Sequence, residues 1–346
     1  MIFLSIVIPA YNSENTIIPL LDSIKSSQKV NFHEIEIIVV DDKSKDETVN
    51  KVAKWQSGKV KKVKTIKLKT NQGPAKARNI GVKYAKGKVV LFLDADVVLY
   101  KNTLFEIVRS FQNDADLYAL TGVWDKKQKS NKFFPKFKAL RDWSYWINER
   151  DPKNYYYLFS TRIAAIDRGL FQRLGGFDTT YKAALVEDIE LTYRIARRHA
   201  VVFNPKVMVH HEFEDFWPIV KKYFWRSFYW SRIYRERKKF DPVATTGKEA
   251  MTTVSAGGLV GLAIVSLLSY LSHLSDLGKI MAIGTGIMMI IHLFGVRKFL
   301  LFVAKEEGIV FAVKSFFTGL ALYLVILSGA LVSLISLLPV DMSSKN

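Results

Sequence analysis

The chain has no cysteine among its 346 residues. That excludes disulfides and thiolate-held metals, and it permits a reducing compartment without proving one. Acidic residues are scarce relative to basic ones, 32 against 51, for a net charge of +19. Charge of either sign nearly vanishes late in the chain. From Met251 onward there are six Lys/Arg and four Asp/Glu, leaving a net +17 on the residues before it. There is no internal repeat. Residues 1–10 are apolar but short, lack a basic flank and run into a turn, so a first strand is expected there, not a signal peptide.

The sparsely charged region holds three long apolar stretches, at 252–274, 279–296 and 309–338. Their lengths suit membrane spans, the second near the lower limit and the third long enough to tilt. Basic residues precede the first stretch and separate the second from the third (Arg297, Lys298, Lys305). The positive-inside rule then puts the large N-terminal part in the cytoplasm of a multi-pass cell-membrane protein. Between these parts, 213–241 interleaves Trp217, Tyr223, Phe224, Trp225 and Trp230 with Lys221, Lys222, Arg226, Arg232 and Arg235. That pattern suits a helix in the headgroup region or an aromatic packing helix. With spans so close, anionic lipid explains the positive charge more simply than nucleic acid does, and no nucleic-acid motif is present.

Residues 1–212 alternate short β-branched runs (3–9, 34–40, 63–68, 88–93) with helical patterns (13–26, 46–56, 74–86). This predicts an α/β domain built on a doubly wound, mostly parallel sheet. Ligands of such sheets bind at the carboxyl ends of the strands, where Asp41, Asp42, Asp94 and Asp96 fall. Asp94-Ala95-Asp96 follows a buried strand, so its two carboxylates can hold a hard cation that in turn grips phosphate. Asp41 and Asp42 can accept hydrogen bonds from a base and a ribose, or cap the next helix. Tyr11 can stack on a nucleobase or pack within its loop. Glu187-Asp188 opens a helix, where a carboxylate can serve as general base or simply complement the helix dipole.

SIVIPAYN, VVDDKSKDET, NQGPAKARNIG, FLDAD, GGFD and VEDIEL, in this order and spacing, resemble the family 2 inverting glycosyltransferases of GT-A fold over residues 5–211. The resemblance implies a nucleotide-sugar site at Pro9, Ala10, Tyr11, Glu14, Asp41, Asp42, Gly73, Ala77, Arg78, Asp94 and Ala95. It implies Mg2+ or Mn2+ at Asp96 with Asp94, and His211 or His210 is a further candidate ligand. Asp188 would be the catalytic base with Glu187 beside it. Gly175, Gly176, Phe177 and Trp225 would line the acceptor side. The donor expected is a UDP-sugar ahead of a GDP-sugar, and the acceptor a polyprenyl phosphate or lipid-linked saccharide. Processive members carry Q-x-x-R-W after the base; here the stretch reads Lys221-Lys222-Tyr223-Phe224-Trp225, which favours single transfer over polymer synthesis. A nucleotidyltransferase would need a Gly-rich basic loop where PAYNSEN stands. A non-catalytic nucleotide-sugar-binding scaffold would not need Asp94, Asp96 and Asp188 together.

Overall fold

The computed structural model describes residues 1–55, 58, 60, 62–150, 156–180, 185–240 and 246–336. They divide into two compact units: Met1–Lys132 with Asp151–Phe213, and Phe133–Arg150 with Glu214–Pro339.

The first unit is built on one eight-stranded mixed sheet in the order β3-β2-β1-β4-β7-β6-β8-β5. Its strands are β1 (Leu4–Ala10), β2 (Ile35–Asp41), β3 (Val63–Lys67), β4 (Val89–Leu93), β5 (Val97–Leu99), β6 (Ala119–Trp124), β7 (Ile163–Asp167) and β8 (Val201–His211). β3, β2, β1 and β4 run parallel, which accounts for the continuous apolar runs of β1, β2 and β4, buried on both faces. β7 is antiparallel to both β4 and β6, and β5 is antiparallel to β8. The helices of this unit are α1 (Ile17–Lys25), α2 (Thr48–Lys54), α3 (Pro74–Tyr84), α4 (Thr103–Asn113), α6 (Arg168–Arg173) and α7 (Glu187–Ile195). α3 lies so close to the sheet that a Cβ on Gly81 would overlap Val7. Ala75, Ala77, Arg78 and Val82 share its buried face. An arginine on that face needs partners, and they belong to the site.

The second unit is helical: α5 (Phe133–Ile147), α8 (Phe216–Arg237), α9 (Gly247–Leu271), α10 (Ser275–Glu307) and α11 (Ile309–Ile335). Phe134, Phe137, Leu140, Ile219, Phe299, Val303 and Leu322 form one core in it. Small residues mark the helix crossings: a Cβ on Gly295 would overlap Thr252, and one on Gly329 would overlap the Phe224 carbonyl. α9, α10 and α11 are each long and apolar enough to cross a membrane.

Two boundaries differ from the expected ones. Residues 133–150, expected within the 1–212 domain, cluster with the second unit because the Phe-rich face of α5 packs against Phe216, Phe299 and Phe311. The basic residues expected in a loop after 296 lie inside α10, whose 33 residues make a rod of about 50 Å against roughly 30 Å of hydrocarbon. Arg, Lys, Leu, Ala and Glu are good helix formers, so the helix outlasts its apolar stretch and ends at Gly308, with φ 89°. α8 packs along α11 at Gly329 and keeps Trp217, Lys221, Lys222 and Arg226 on an exposed face. Asp241, Leu337 and Leu338 of the expected segments lie outside the described residues.

Candidate active site

The carboxyl ends of β1, β2 and β4 meet at one edge of the first unit's sheet. Ala10 pairs with Asp41 in the register of β1 and β2, so the two following loops start side by side. Side chains then staple them together. Asn12 Oδ1 accepts the Lys45 N–H at 2.9 Å, and Ser44 Oγ accepts the Asn12 N–H at 3.0 Å. Glu14 accepts the Glu47 N–H at 3.1 Å, so its carboxylate serves the start of α2. Asp41, 4% exposed, closes its own turn through the Ser44 N–H at 3.3 Å. Tyr11 stands at the rim, 40% exposed, with Pro9 half-buried and Ala10 buried behind it.

Asp42 is buried, and its two oxygens accept the N–H groups of Gln72 at 2.8 Å and Gly73 at 2.7 Å. Burial pushes its carboxyl above the usual range, while these two donors hold it down. Asp42 thus fixes the loop entering α3, where Gly73 at φ 85° lets the chain turn before Pro74 starts the helix. One turn on, Ala77 is buried against the sheet and Arg78 reaches the site.

The Arg78 guanidinium, 2% exposed, bridges Asp94 Oδ1 at 2.7 Å and Glu187 Oε1 at 3.0 Å, and Asp188 adds to the negative field around it. One cation therefore ties the acidic turn after β4 to the first turn of α7. Glu187 also accepts the Leu185 N–H at 3.0 Å. Being 2% exposed, it is an internal anchor. Asp188 is half-buried and accepts the Ile189 N–H at 2.8 Å.

Asp96 follows the buried Ala95 and precedes Val97, which pairs with His211 across β5 and β8. That register brings His211 Nε2 within 3.4 Å of Asp96 Oδ2. Burial and the nearby Arg162 charge push the His211 imidazole down, towards its neutral form. Partial desolvation of the Asp96 carboxyl is outweighed by His211 and Arg162, which hold it low in the carboxylate range. An ionised carboxylate and a neutral imidazole suit a divalent cation, and Asp96 stays 52% exposed for a ligand to approach. Among the described residues no third His, Asp or Glu completes the set. Phosphate oxygens and water would have to do so. His211 Nδ1 is buried without a hydrogen-bond partner.

His210 points away from Asp96, because neighbours along a strand alternate faces. It pairs with Val98, and its ring nitrogens meet Asp125 Oδ1 at 3.0 Å and Glu212 Oε1 at 2.7 Å. Asp125 is also the acceptor for the Tyr100 hydroxyl. Of the two candidate histidines, His211 lies beside Asp96, and His210 is engaged with Asp125 and Glu212.

Asn79 forms a two-way bond with Phe177, its Nδ2 donating to the carbonyl at 2.8 Å and its Oδ1 accepting the N–H at 2.9 Å. This seats the turn at Gly175 (φ 80°) and Gly176 (φ 76°) against α3. The Phe177 ring, expected on the acceptor side, is instead core: 2% exposed, with its centroid 5.2 Å from that of Phe92 and 5.3 Å from that of Phe171. Trp225 lies on α8 of the second unit, stacked at 6.0 Å on Tyr229. Sequence reasoning did not single out Arg162, Asp125 or Arg194. Arg194 donates to the carbonyls of Leu174 and Gly176 and so holds the same Gly-Gly turn.

Residues 5–174 match the family model Glycosyl transferase family 2, so the chain carries a domain of that family. Its sheet and helices are those of the GT-A fold. Poly(ribitol-phosphate) beta-N-acetylglucosaminyltransferase TarS of Staphylococcus aureus is 38% identical over 127 residues, 36% of this chain and 22% of that protein. UDP-Glc:alpha-D-GlcNAc-diphosphoundecaprenol beta-1,3-glucosyltransferase WfgD of Escherichia coli is 38% identical over 103 residues, 29% of this chain and 37% of that one. The chain therefore spans about a fifth to two fifths of the length of these relatives. Among solved structures, mannosyltransferase PcManGT from Pyrobaculum calidifontis, in complex with GDP-Man and Mn2+, shares the fold over 96% of this chain and 87% of that one, with TM-score 0.59 at 17% identity.

Proposed function

We propose that the protein transfers a sugar, with inversion, from a nucleotide-sugar to a membrane-held lipid or lipid-linked saccharide. The observation that carries this is the junction at Arg78, which joins Asp94 of the acidic turn to Glu187 beside Asp188 within a family 2 domain. Tyr11, Asp41 and the loop pinned by Asp42 would receive the nucleoside. Asp96 and His211 would hold a divalent cation. When bound, that cation neutralises charge building on the departing diphosphate. Asp188 takes the acceptor proton while the acceptor oxygen attacks the anomeric carbon from the face opposite the leaving group. One displacement inverts the centre, and no protein nucleophile is required. Glu187, locked to Arg78, orients the first turn of α7 and leaves the proton to Asp188.

A base of this kind favours a hydroxyl acceptor, since a phosphate oxygen is already ionised at neutral pH. The name of WfgD, a UDP-Glc enzyme, supports a UDP-sugar donor. α9, α10 and α11 support membrane attachment. Arg297, Lys298 and Lys305 on the last turns of α10 support a cytoplasmic catalytic unit. Single transfer is supported by the absence of Q-x-x-R-W. Asp188→Asn is the test: loss of transfer by about 10²-fold or more with nucleotide affinity retained is expected. Unchanged turnover would remove Asp188 from the base role.

A further inference from the structure

Among the described residues Arg162 makes no salt bridge, and the carboxylate charge acting on it, Asp96, is paired with His211. Arg162 sits one step beyond the last paired register of β4 and β7, where Leu93 faces Ile163, and so lies level with the acidic turn that begins at Asp94. Its guanidinium carbon is 4.3 Å from the Trp124 ring centroid and 5.4 Å from that of Phe213. Phe213 in turn packs edge-on against His211 at 4.8 Å. The Asp96–His211 pair and Arg162 thus flank one aromatic ring. Arg162 Nε is buried with no hydrogen-bond partner, and among the described residues the guanidinium makes no hydrogen bond or ion pair. Its charge nevertheless reaches both Asp96 and His211.

Such an arrangement is wasteful for stability alone. Ring contacts return roughly 0.5–2 kcal/mol, while a half-buried guanidinium forgoes the charge-assisted bonds it can make. Its planar fork matches phosphate oxygens two at a time. We propose that Arg162 recognises the diphosphate of the nucleotide donor, with Trp124 and Phe213 holding its guanidinium plane beside the Asp96–His211 corner. In that position it shares the leaving-group charge and makes the site prefer nucleoside diphosphates to monophosphates. This rests on the proposed nucleotide-sugar reading. It assigns a residue that the acidic turns do not reveal.

The experiment is titration calorimetry on the detergent-purified full chain with UDP, GDP and dTDP and the matching monophosphates, in EDTA so that no cation bridges. The wild type should prefer one diphosphate over its monophosphate. Arg162→Gln should cut that preference at least tenfold, about 1.4 kcal/mol. Arg162→Lys should cut it less, because a point charge replaces the fork. Thermal melts run alongside, and should Arg162→Gln not fold, Arg162→Lys carries the comparison. A lowered melting temperature with an unchanged diphosphate-to-monophosphate ratio would make Arg162 a packing residue and overturn the inference. Should binding need a cation, the same comparison is made with Mn2+ restored; failure of the wild type to bind any diphosphate with or without Mn2+ would overturn the nucleotide-sugar reading, and this inference with it.

Discussion

Removing the Arg78 guanidinium tests whether the junction of the acidic turn with α7 holds the first unit together. In Arg78→Met the aliphatic volume is roughly kept and the charge is lost. Glu187, 2% exposed and 3.0 Å from the guanidinium, would be left as a buried carboxylate with only the Leu185 N–H. Removing one partner of a buried pair costs about 3–5 kcal/mol, mostly from the charge left behind. The Asp94 contact adds less, because that side chain is 31% exposed and water screens it. For a unit of this size, a loss of that order lowers the melting temperature by roughly 6–20 °C. The assay is thermal and denaturant unfolding of the purified chain, followed by tryptophan fluorescence. If the stranded charge is the cause, adding Glu187→Gln should restore a large part of the loss, since a neutral amide tolerates the site better. A single variant within about 1 kcal/mol of wild type, or a double variant no better than the single, would refute the reasoning.

The Gly-Gly turn gives a matched pair of substitutions. In Gly176→Ala the new Cβ would stand 2.5 Å from Asn79 Oδ1 at φ 76°, whereas at Gly175 (φ 80°) nothing lies within 4 Å. Gly175→Ala should cost about 1–2 kcal/mol of backbone strain in denaturant melts, and Gly176→Ala clearly more, because it also breaks the Asn79–Phe177 pair. Asp42→Asn leaves one of the Gln72 and Gly73 N–H groups facing an amide NH2, and should cost roughly 1–3 kcal/mol and weaken nucleotide binding. The His210 clamp should be pH-dependent. Its hydrogen bond to Asp125, offset by burial and aided by Glu212, raises its pKa, so its contribution is fully present below the unfolded value near 6.5. That contribution is lost as pH rises through the higher folded value. His211, shifted the other way by burial, works in the opposite sense below about pH 6.5. The difference in melting temperature between wild type and His210→Gln isolates the first effect and should shrink as pH is raised above 6.5; a difference that grows would contradict the assignment.

The parallel half of the sheet was legible because β1, β2 and β4 are buried on both faces and read as unbroken apolar runs ending in polar turns. The mixed half, where β7 and β5 run antiparallel to their neighbours and β6 runs parallel to β8, was not. β8 carries Asn204-Pro205-Lys206 in its middle, where its partner β6 shifts register, so local pattern breaks while the strand continues. Nothing local announces that β7 inserts between β4 and β6, yet that insertion sets Arg162 level with Asp94. Asp94, Asp96 and Asp188 were legible as carboxylates at strand or helix ends. Choosing His211 over His210 required the β5–β8 pairing, which faces Val97 to one and Val98 to the other. Phe177 and Glu14 looked like site residues in their motifs, but the core claims one and the α2 turn the other. Glu187 likewise proved an internal partner of Arg78. At the end of α10 hydropathy falls at Arg297 and Lys298 while helix propensity persists, so the apolar pattern stops before the helix does.

Sugar transfer from a nucleotide donor at the membrane is tested most directly by nucleoside diphosphate release from the detergent-purified chain. A panel of UDP-, GDP- and dTDP-sugars would be assayed with Mn2+ or Mg2+, with and without total polar lipids. Release from one donor class, stimulated by lipid and abolished in Asp96→Ala, is the expected result. Metal-dependent binding of nucleotide with no release from any donor in the presence of lipid would contradict transfer and point to a binding scaffold.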